Sequence, residues 1–354
     1  MGRHDRLFLL LYKTGRNGTP QLQTQIEFFE RLYMDSYRHL TVFLLEAINA
    51  SDLKTGDIAV DCTFGGGGHT RSLLEAVGKS GKVVAFDRDL DAIKNGQRTF
   101  SEDIESGRLV LVQAPFSECT RVLENLGLRD QVQYVLADIG VSSHQIDTPQ
   151  RGFSFQSMGP LDMRMDQLNG ESAGDFINQA NETEIADVIF RFGEEPKSRR
   201  IAKAIVTKRT SHPFKTTRDL AQCIEQLNLW GGRPSKTHPA TRTFQALRIY
   251  VNRELEELEL LLKRSFDFLP CGARLGIITF HSLEDRIAKQ FMKQKCLPFE
   301  GRTIPREIPI RDTDAISKPA AKIIGQFPTS PSEAEVKDNP RSRSAKLRVI
   351  QKLI

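Results

Sequence analysis

Four consecutive glycines, Gly65–Gly68, stand between a strand-like and a helix-like run in IAVDCTFGGGGHTRSLL, residues 58–74. A turn needs only one or two residues free of a Cβ, so four of them point to a ligand that comes close to the backbone. Three ligand classes compete for such a turn. A phosphate-cradling P-loop needs Lys-Ser/Thr after its last glycine, and no such pair follows. A dinucleotide fingerprint could start at Gly65 or Gly66, but its third glycine would fall on Thr70 or Arg71. A nucleoside ligand without a pyrophosphate remains. Asp87 ends the next strand-like run, KVVAFD, 20 residues after Gly67, where an acid can take both ribose hydroxyls. S-adenosylmethionine meets these demands. Its ribose would face Asp87, its carboxylate the backbone N–H groups at the helix start, and its adenine Phe116 in QAPFS.

These residues need a frame that brings strand ends together. Ile58–Phe64, Lys82–Asp87, Leu109–Gln113 and Val132–Asp138 read as short apolar strands, with helices predicted over 69–77, 90–100 and 117–126 between them. That alternation predicts a parallel sheet covered on both faces. After Ile139 the rhythm stops. Residues 147–175 read as loop, and helices are predicted over 182–192, 197–209 and 217–228, with a long one starting near Pro239 or Ala240. GARLGIITFHSLEDRIAKQFM then restores strand and helix, and AKLRVIQKLI supplies a last strand, while 299–340 reads as an extended Pro-rich loop. The predicted fold is α/β: a doubly wound, Rossmann-like sheet interrupted by an inserted all-helical domain. Its parts are an N-terminal extension, 1–38, a first sheet segment, 39–146, the helical insert, 147–250, and a second sheet segment, 251–354.

A chain of 354 residues with 39% hydrophobic and 27% charged residues can bury a full core and is long enough for two domains. The five cysteines are scattered and never spaced as CxxC, which argues against a disulfide framework or a structural zinc and fits a reducing cytoplasm. No apolar run reaches membrane-spanning length. The opening MGRHDRLFLLLYKTGRNG has a basic start and a short apolar run without a small-residue cleavage site, and reads as an extension rather than a leader, with translation from Met34 as an alternative. Net charge is +5, but between Arg191 and Arg218 nine Lys/Arg face only Glu194 and Glu195. The tail from Lys337 adds Arg341, Arg343, Lys346, Arg348 and Lys352 against Asp338. Two basic stretches point to a polyanionic partner such as nucleic acid. A homo-oligomer is left open.

The chain resembles the bacterial small-subunit ribosomal RNA cytosine-N4 methyltransferase family from about His39 to the C-terminus. The resemblance rests on HLTVFLLEAI, DCTFGGGGHT, FDRD, DIGVSSHQID, RGFSF, GPLDMRMD, HPATRTFQALRIYVNRELEEL, FHSLEDR and NPRSRSAKLR, in that order. It implies a methyltransferase sheet with an inserted helical domain, S-adenosylmethionine as cofactor, and a cytidine in the decoding centre of 16S rRNA within the small ribosomal subunit as target. It also implies cofactor contacts at Gly67, Gly68, His69, Asp87, Phe116, Asp138 and Gln145. Departures from the family pattern are Cys62, Gly66, Ala137 and Ile139, all beside the expected pocket and none removing a polar group.

Methyl transfer to an exocyclic amine is a direct displacement, so alignment supplies most of the catalysis. Asp138, at the end of the fourth strand, is placed either to accept a hydrogen bond from the amine or to hold the methionine ammonium. The Pro-Pro-aromatic run that many amino methyltransferases carry after this position is replaced by DIGVSSHQ, so Phe153, Phe155 and Phe280 are the candidates to stack the base, with Ser142 or Ser143 bonding it. His281 is a candidate general base, or a histidine that only bonds a loop. Cys and His show no metal-ligand spacing, and Met158, Met163 and Met165 are expected to pack. For the flanking RNA the candidates are Arg200 and Lys208 on the basic face of the insert, with His238, Arg242 and Arg248 near its return to the sheet. A DNA or tRNA amino methyltransferase and a non-catalytic RNA-binding assembly factor are the competing readings.

Overall fold

The computed structural model describes residues 41–229, 237–297 and 318–354. The expected extension 1–38 and residues 299–317 of the expected loop lie outside them. Seven strands form one sheet in the order β3-β2-β1-β4-β5-β7-β6. They are β1 (Ile58–Asp61), β2 (Lys82–Asp87), β3 (Leu109–Gln113), β4 (Val132–Asp138), β5 (Arg274–Thr279), β6 (Ala321–Thr329) and β7 (Lys346–Lys352). The first five pair in parallel, and β7 runs antiparallel to both β5 and β6. Strand order reverses between β1 and β4, which opens a crevice at their carboxyl ends, the place where such sheets bind ligands.

Side chains alternate between two apolar layers, as period-two strands buried on both faces require. Val60, Val84, Phe86, Val135, Ala137, Leu275 and Ile277 meet one layer, and Ala59, Val83, Ala85, Tyr134, Leu136 and Ile278 the other. On the first face lie α12 (Glu254–Phe268) and α13 (Ser282–Cys296), α12 supplying Leu258, Leu261, Leu262 and Phe266 at helical spacing. On the second lie α1 (Leu44–Ser51) and α2 (Gly68–Val77) through Ala47, Leu73, Leu74 and Val77. The helices α3 (Leu90–Thr99), α4 (Ser101–Glu105) and α5 (Cys119–Asn125) complete the first half.

Between β4 and β5 the chain runs through α6 (Ser143–Asp147) and then five further helices, α7 (Ala173–Gln179), α8 (Glu182–Gly193), α9 (Ser198–Arg209), α10 (Thr217–Glu225) and α11 (Thr241–Asn252). These five enclose their own apolar core, which includes Ile177, Ile185, Ile189, Ile201, Ile205, Leu220, Ile224, Phe244 and Leu247. Their starts are written in the sequence: Ser172/Asp175, Asn181/Glu184 and Thr216/Asp219 form capping boxes. The long helix expected from residue 239 is instead two, α11 and α12, because Arg253 adopts φ 51° and breaks the chain between them. The expected loop after residue 299 also yields structure, with β6 and then α14 (Glu333–Asp338). β6 is an edge strand with mostly exposed or half-exposed residues, so it carries no apolar period to read. Among the described residues no helix is long and apolar enough to cross a membrane.

Polar side chains tie the irregular segment 147–175 to the sheet. Arg151 and Asp89 are 2% and 4% exposed, and Arg151 Nη1 lies 2.6 Å from Asp89 Oδ2. Arg151 Nη2 also donates to the carbonyls of Arg164 (3.1 Å) and Met165 (2.9 Å). Asn252, at the end of α11, donates to Met163 O (2.7 Å) and accepts from Met165 N (2.8 Å). A buried ion pair broken on one side leaves an uncompensated charge, at a cost of about 3–5 kcal/mol. Arg151→Met should therefore lower stability by about that amount, whereas Arg343→Ala, at an exposed position, should stay within about 0.5 kcal/mol. Urea unfolding of the two variants checks this; equal midpoints would remove the pair from the framework.

Candidate active site at the carboxyl ends of the strands

The turn after β1 is built by its own polar groups. Asp61, fully buried, accepts the Thr70 hydroxyl at 2.6 Å and the Thr63 N–H at 3.0 Å. Thr63 Oγ1 accepts the Asp138 N–H at 2.7 Å, which joins the ends of β1 and β4 across the crevice. Gly65 and Gly67 have φ of 52° and 80°, a left-handed backbone that glycine adopts freely. The reading that all four glycines make room for a ligand is corrected here. A Cβ on Gly67 would lie 2.6 Å from the Phe100 ring, and one on Gly68 would collide with Thr41 Oγ1. These two are demanded by protein packing. Gly65, whose Cβ would meet nothing nearer than 3.9 Å, and the exposed Gly66 are the ones that face open space. Gly68 is the first residue of α2, so the N–H groups of that first turn project from the helix end, an arrangement that suits an anion.

Asp87 ends β2 and accepts the N–H of Gly65 on Oδ2 and that of Asp89 on Oδ1, both at 2.8 Å. It anchors the glycine turn and still keeps a lone pair on each oxygen for hydroxyl donors. Burial pushes its carboxyl up to about 6, although the two N–H donors oppose this. Phe116 opens a 3-10 turn, Phe116–Glu118, just after β3 and packs half-buried against the sheet's first core layer.

Across the crevice, Asp138 ends β4 with Oδ1 buried and without a partner. His69 is 4% exposed, and its Nε2 lies 3.6 Å from Asp138 Oδ2, an electrostatic contact rather than a hydrogen bond; among the described residues neither ring nitrogen has a hydrogen-bond partner. Burial acts to lower the His69 pKa, but Asp138 and Asp61 outweigh it and hold the ring above its usual value. Ser142 caps α6, its hydroxyl accepting Gln145 N–H at 3.2 Å while Gln145 Oε1 accepts Ser142 N–H at 3.0 Å. Gln145 Nε2 donates to Asp89 at 2.7 Å. Both residues thus shape the loop after Asp138, with the Ser142 O–H free to donate. Ser143 Oγ accepts from Arg341 at 2.5 Å.

His281 is engaged at the start of its own helix, although its buried Nε2 lacks hydrogen-bond geometry to a partner among the described residues. It caps α13, accepting Glu284 N–H at 3.5 Å on Nδ1, with Nε2 3.0 Å from Glu284 Oε1. Burial would raise the Glu284 carboxyl, yet His281 and Arg248 keep it below its ordinary value. Arg248 is withdrawn from the RNA face for the same reason: it is largely buried and bonds Glu254 through Nε (2.9 Å) and Nη2 (2.8 Å), with Glu284 at 4.0 Å. Folding does bring Glu254, His281 and Glu284 within 4.8 Å of one another, a grouping with no trace in the sequence spacing, but the Arg248 guanidinium already supplies its cation.

Of the other RNA candidates, Arg200 is exposed and donates to Leu227 O at 2.8 Å, and Lys208 lies 5.7 Å over the Phe214 ring. Arg242 is half-exposed and donates to Glu194 O at 3.0 Å. His238 pairs with Glu225 at 2.5 Å and stacks on Phe155 at 4.4 Å. Phe155 also meets Phe244 edge-on at 4.9 Å, and Phe153 lies 5.9 Å from the Arg151 guanidinium, so both belong to the helical block. Phe280 alone of the three flanks the turn leaving Asp138, 3.4 Å from a Cβ built on Gly140. Met163 and Met165 pack as expected, but Met158 is 69% exposed. The tail is not a free basic patch: Lys346 and Arg348 bond Asp285, Lys352 bonds two carbonyls, and Arg341 bonds Asp147.

Asp61, Thr63, Thr70, Asp89 and Arg151 were missed in the sequence reading. The signal was there for some of them, since Asp61 and Asp89 are acids at strand ends beside the glycine turn and Asp87. The Asp87 titration gives a measurable consequence. Ribose hydroxyls need the carboxylate, and below about pH 6 the free protein holds a proton there, so binding must displace it. S-adenosylmethionine affinity should be flat above about pH 7 and weaken about tenfold per unit below about 6. Calorimetry from about pH 5 to 8 measures it; a flat profile, or unchanged affinity in Asp87→Ala, would take Asp87 out of the site.

The profile of the MraW methylase family matches residues 36–353. A protein of Magnetococcus marinus named Ribosomal RNA small subunit methyltransferase H is 45% identical over 319 residues, spanning 90% of this chain and 99% of its own. Proteins of the same name from Ruthia magnifica and Alteromonas mediterranea are 43% and 42% identical, over 89% and 90% of this chain and 98% and 99% of theirs. The fold is the Rossmann-like methyltransferase sheet, and the methyl donor is S-adenosylmethionine. Its demands fit what the crevice offers: Asp87 with lone pairs to spare, the free N–H groups of the first turn of α2, and the unpartnered buried Asp138 Oδ1 and His69. The chain belongs to the MraW methylase family.

Proposed function

We propose that the protein methylates the N4 amine of a cytidine in 16S rRNA of the small ribosomal subunit, in the cytoplasm. The observation that carries this reading is Asp138. Its Oδ1 is a buried acceptor without a partner at the switch point of a methylase sheet, in a chain whose relatives bear a small-subunit ribosomal RNA name. Five free cysteines suit a reducing compartment.

The bound donor supplies an electrophilic methyl group. The chain's own residues prepare the amine. The N4 lone pair of cytosine is delocalised into the ring, so the amine is a weak nucleophile. A carboxylate that accepts one N–H helps to turn that lone pair out of the ring plane, and afterwards takes the proton the methylated nitrogen sheds. Asp138 is held for this by the bond of its N–H to Thr63 and by the neighbouring His69. Phe280 flanks the same turn and is the candidate to stack the base. A base inside a stem or stack must swing out to reach a carboxylate in a crevice. The grip on flanking RNA is assigned to the helical block 147–250, through the exposed face of α9 and Arg242.

Labelled methyl transfer to small ribosomal subunits, naked rRNA, tRNA and DNA tests the reading. Incorporation into the small subunit at cytosine N4 is expected. Preference for DNA or tRNA would replace the substrate, and none anywhere would favour a binding role. In Asp138→Asn the shape is kept while one acceptor becomes a donor. Single-turnover transfer at saturating donor should fall about a hundredfold or more, with donor affinity largely kept. Loss of affinity in step with rate would show that Asp138 holds the methionine ammonium instead.

Charge reversal at Arg200 and Lys208 tests the RNA face. Arg200→Glu with Lys208→Glu should weaken RNA binding and flatten the slope of log affinity against log salt by about one to two, with donor affinity unchanged. An unchanged slope would make this face merely solvated.

A further inference from the structure

We propose that His69 is a positioning residue: with its Nε2 3.6 Å from Asp138 Oδ2, it fixes the Asp138 carboxylate in the orientation that receives the target amine. The proposal rests on the reading of Asp138 as the amine's acceptor and adds a role that the resemblance, which makes His69 a cofactor contact, does not include. Three observations carry it. His69 is 4% exposed and has no hydrogen-bond partner on either ring nitrogen, although buried polar groups nearly always find one. Its Nε2 is 3.6 Å from Asp138 Oδ2, while Oδ1 of the same carboxylate is buried and unpartnered. Asp61 is fully buried, and its two oxygens are already engaged by the Thr63 N–H and the Thr70 hydroxyl, neither of which brings a positive charge.

A neutral imidazole there would leave Asp138 beside a buried, unsatisfied ring and withdraw the charge that also acts on the buried Asp61. A charged ring satisfies both electrostatically. The groups that act on His69 are Asp138 from β4, Asp61 from β1 and the backbone of Val42 from the segment before α1; all favour the charged ring, and burial alone opposes it. Asp87 from β2 feels Asp61 but is not among the groups that act on His69. With Oδ2 drawn toward the ring, Oδ1, shielded from water and without a hydrogen-bond partner among the described residues, keeps its full acceptor capacity. The histidine at the second position of α2 thereby selects which Asp138 oxygen is offered.

The ring's charge can be read without any methyl transfer. In protein carrying isotope-labelled histidine, the His69 signals, assigned through His69→Gln, should titrate above the ordinary histidine range and be mainly charged at neutral pH. In Asp138→Asn the titration should drop by about one unit or more. A ring neutral at pH 7, or a titration unmoved by Asp138→Asn, overturns the proposal. The second arm is single-turnover transfer at saturating donor. His69→Gln should slow it about tenfold or more and shift its pH profile, and the double variant with Asp138→Asn should be no slower than Asp138→Asn alone. Independent, multiplying losses would also overturn it. If the titration arm succeeds while no nucleic acid is methylated, the His69–Asp138 pair stands and the proposed substrate fails.

Discussion

Asp89 and Arg151 lie some sixty residues apart in sequence, both almost wholly excluded from water and each the other's countercharge. An ion pair in such a place offsets its desolvation only if the remaining hydrogen-bonding capacity is also met. Here most of it, all but the buried Arg151 Nε, is met by the parts of the protein that form the site. Asp89 takes the Gln145 amide from the loop after Asp138 and caps α3 through the Asp91 N–H. Arg151 takes two carbonyls of the 164–165 segment. The same strand end carries Asp87, which holds the glycine turn. One short run, FDRD, therefore fastens the sheet's second strand to the glycine turn, the loop after Asp138 and the start of the helical block. Its Arg88 adds a bond to Asn252 O, where α11 ends.

Around this clamp the crevice concentrates negative charge. Asp61, Asp87 and Asp138 stand at the ends of three adjacent strands, with burial raising Asp61 and Asp87. Three neighbouring acids are costly unless cations share the space. His69, whose pKa Asp138 and Asp61 hold above its usual value, offsets part of this charge when protonated, and a donor with a sulfonium and an ammonium matches the remainder. The site is thus a negative pocket inside a positively charged protein, an arrangement in which a small cationic cofactor and a polyanionic substrate each meet the opposite sign of charge.

The basic stretches serve the fold more than their counts imply. Arg209 caps the end of α7 through Ile177 O and Ala180 O, Arg248 neutralises two buried glutamates, and Arg348 does the same for Asp285. Arg286 reaches back to Glu194, whose Oε2 also accepts the Ser282 hydroxyl at 2.7 Å. Glu194 ends α8 with φ 49°, so this contact ties the helical block to the start of α13. Exposed basic side chains do remain on α9, among them Arg199 and Arg200.

The sequence by itself determined the strands β2, β3 and β4 to the residue, because each is an apolar run, buried on both faces in β2 and β4 and half-buried at the edge in β3, bounded by polar or turn residues. It also determined that Asp87 and Asp138 end strands at the crevice, and the helices α8 and α10 of the block, whereas the start of α7, capped by the same local chemistry, lies in a stretch that reads as loop. Tertiary structure decided the rest. The left-handed break at Arg253 and the exposed edge strand β6 have no periodicity to betray them. The partners of Gly67 and Gly68, Phe100 and Thr41, lie tens of residues away, so a run that reads as ligand clearance is half packing constraint. His281 and Arg248 look like a base and an RNA contact until Glu284 and Glu254 are brought beside them. Charge and hydrogen-bonding capacity are visible in a sequence, but which partner uses them depends on contacts between distant segments, and only folding makes those.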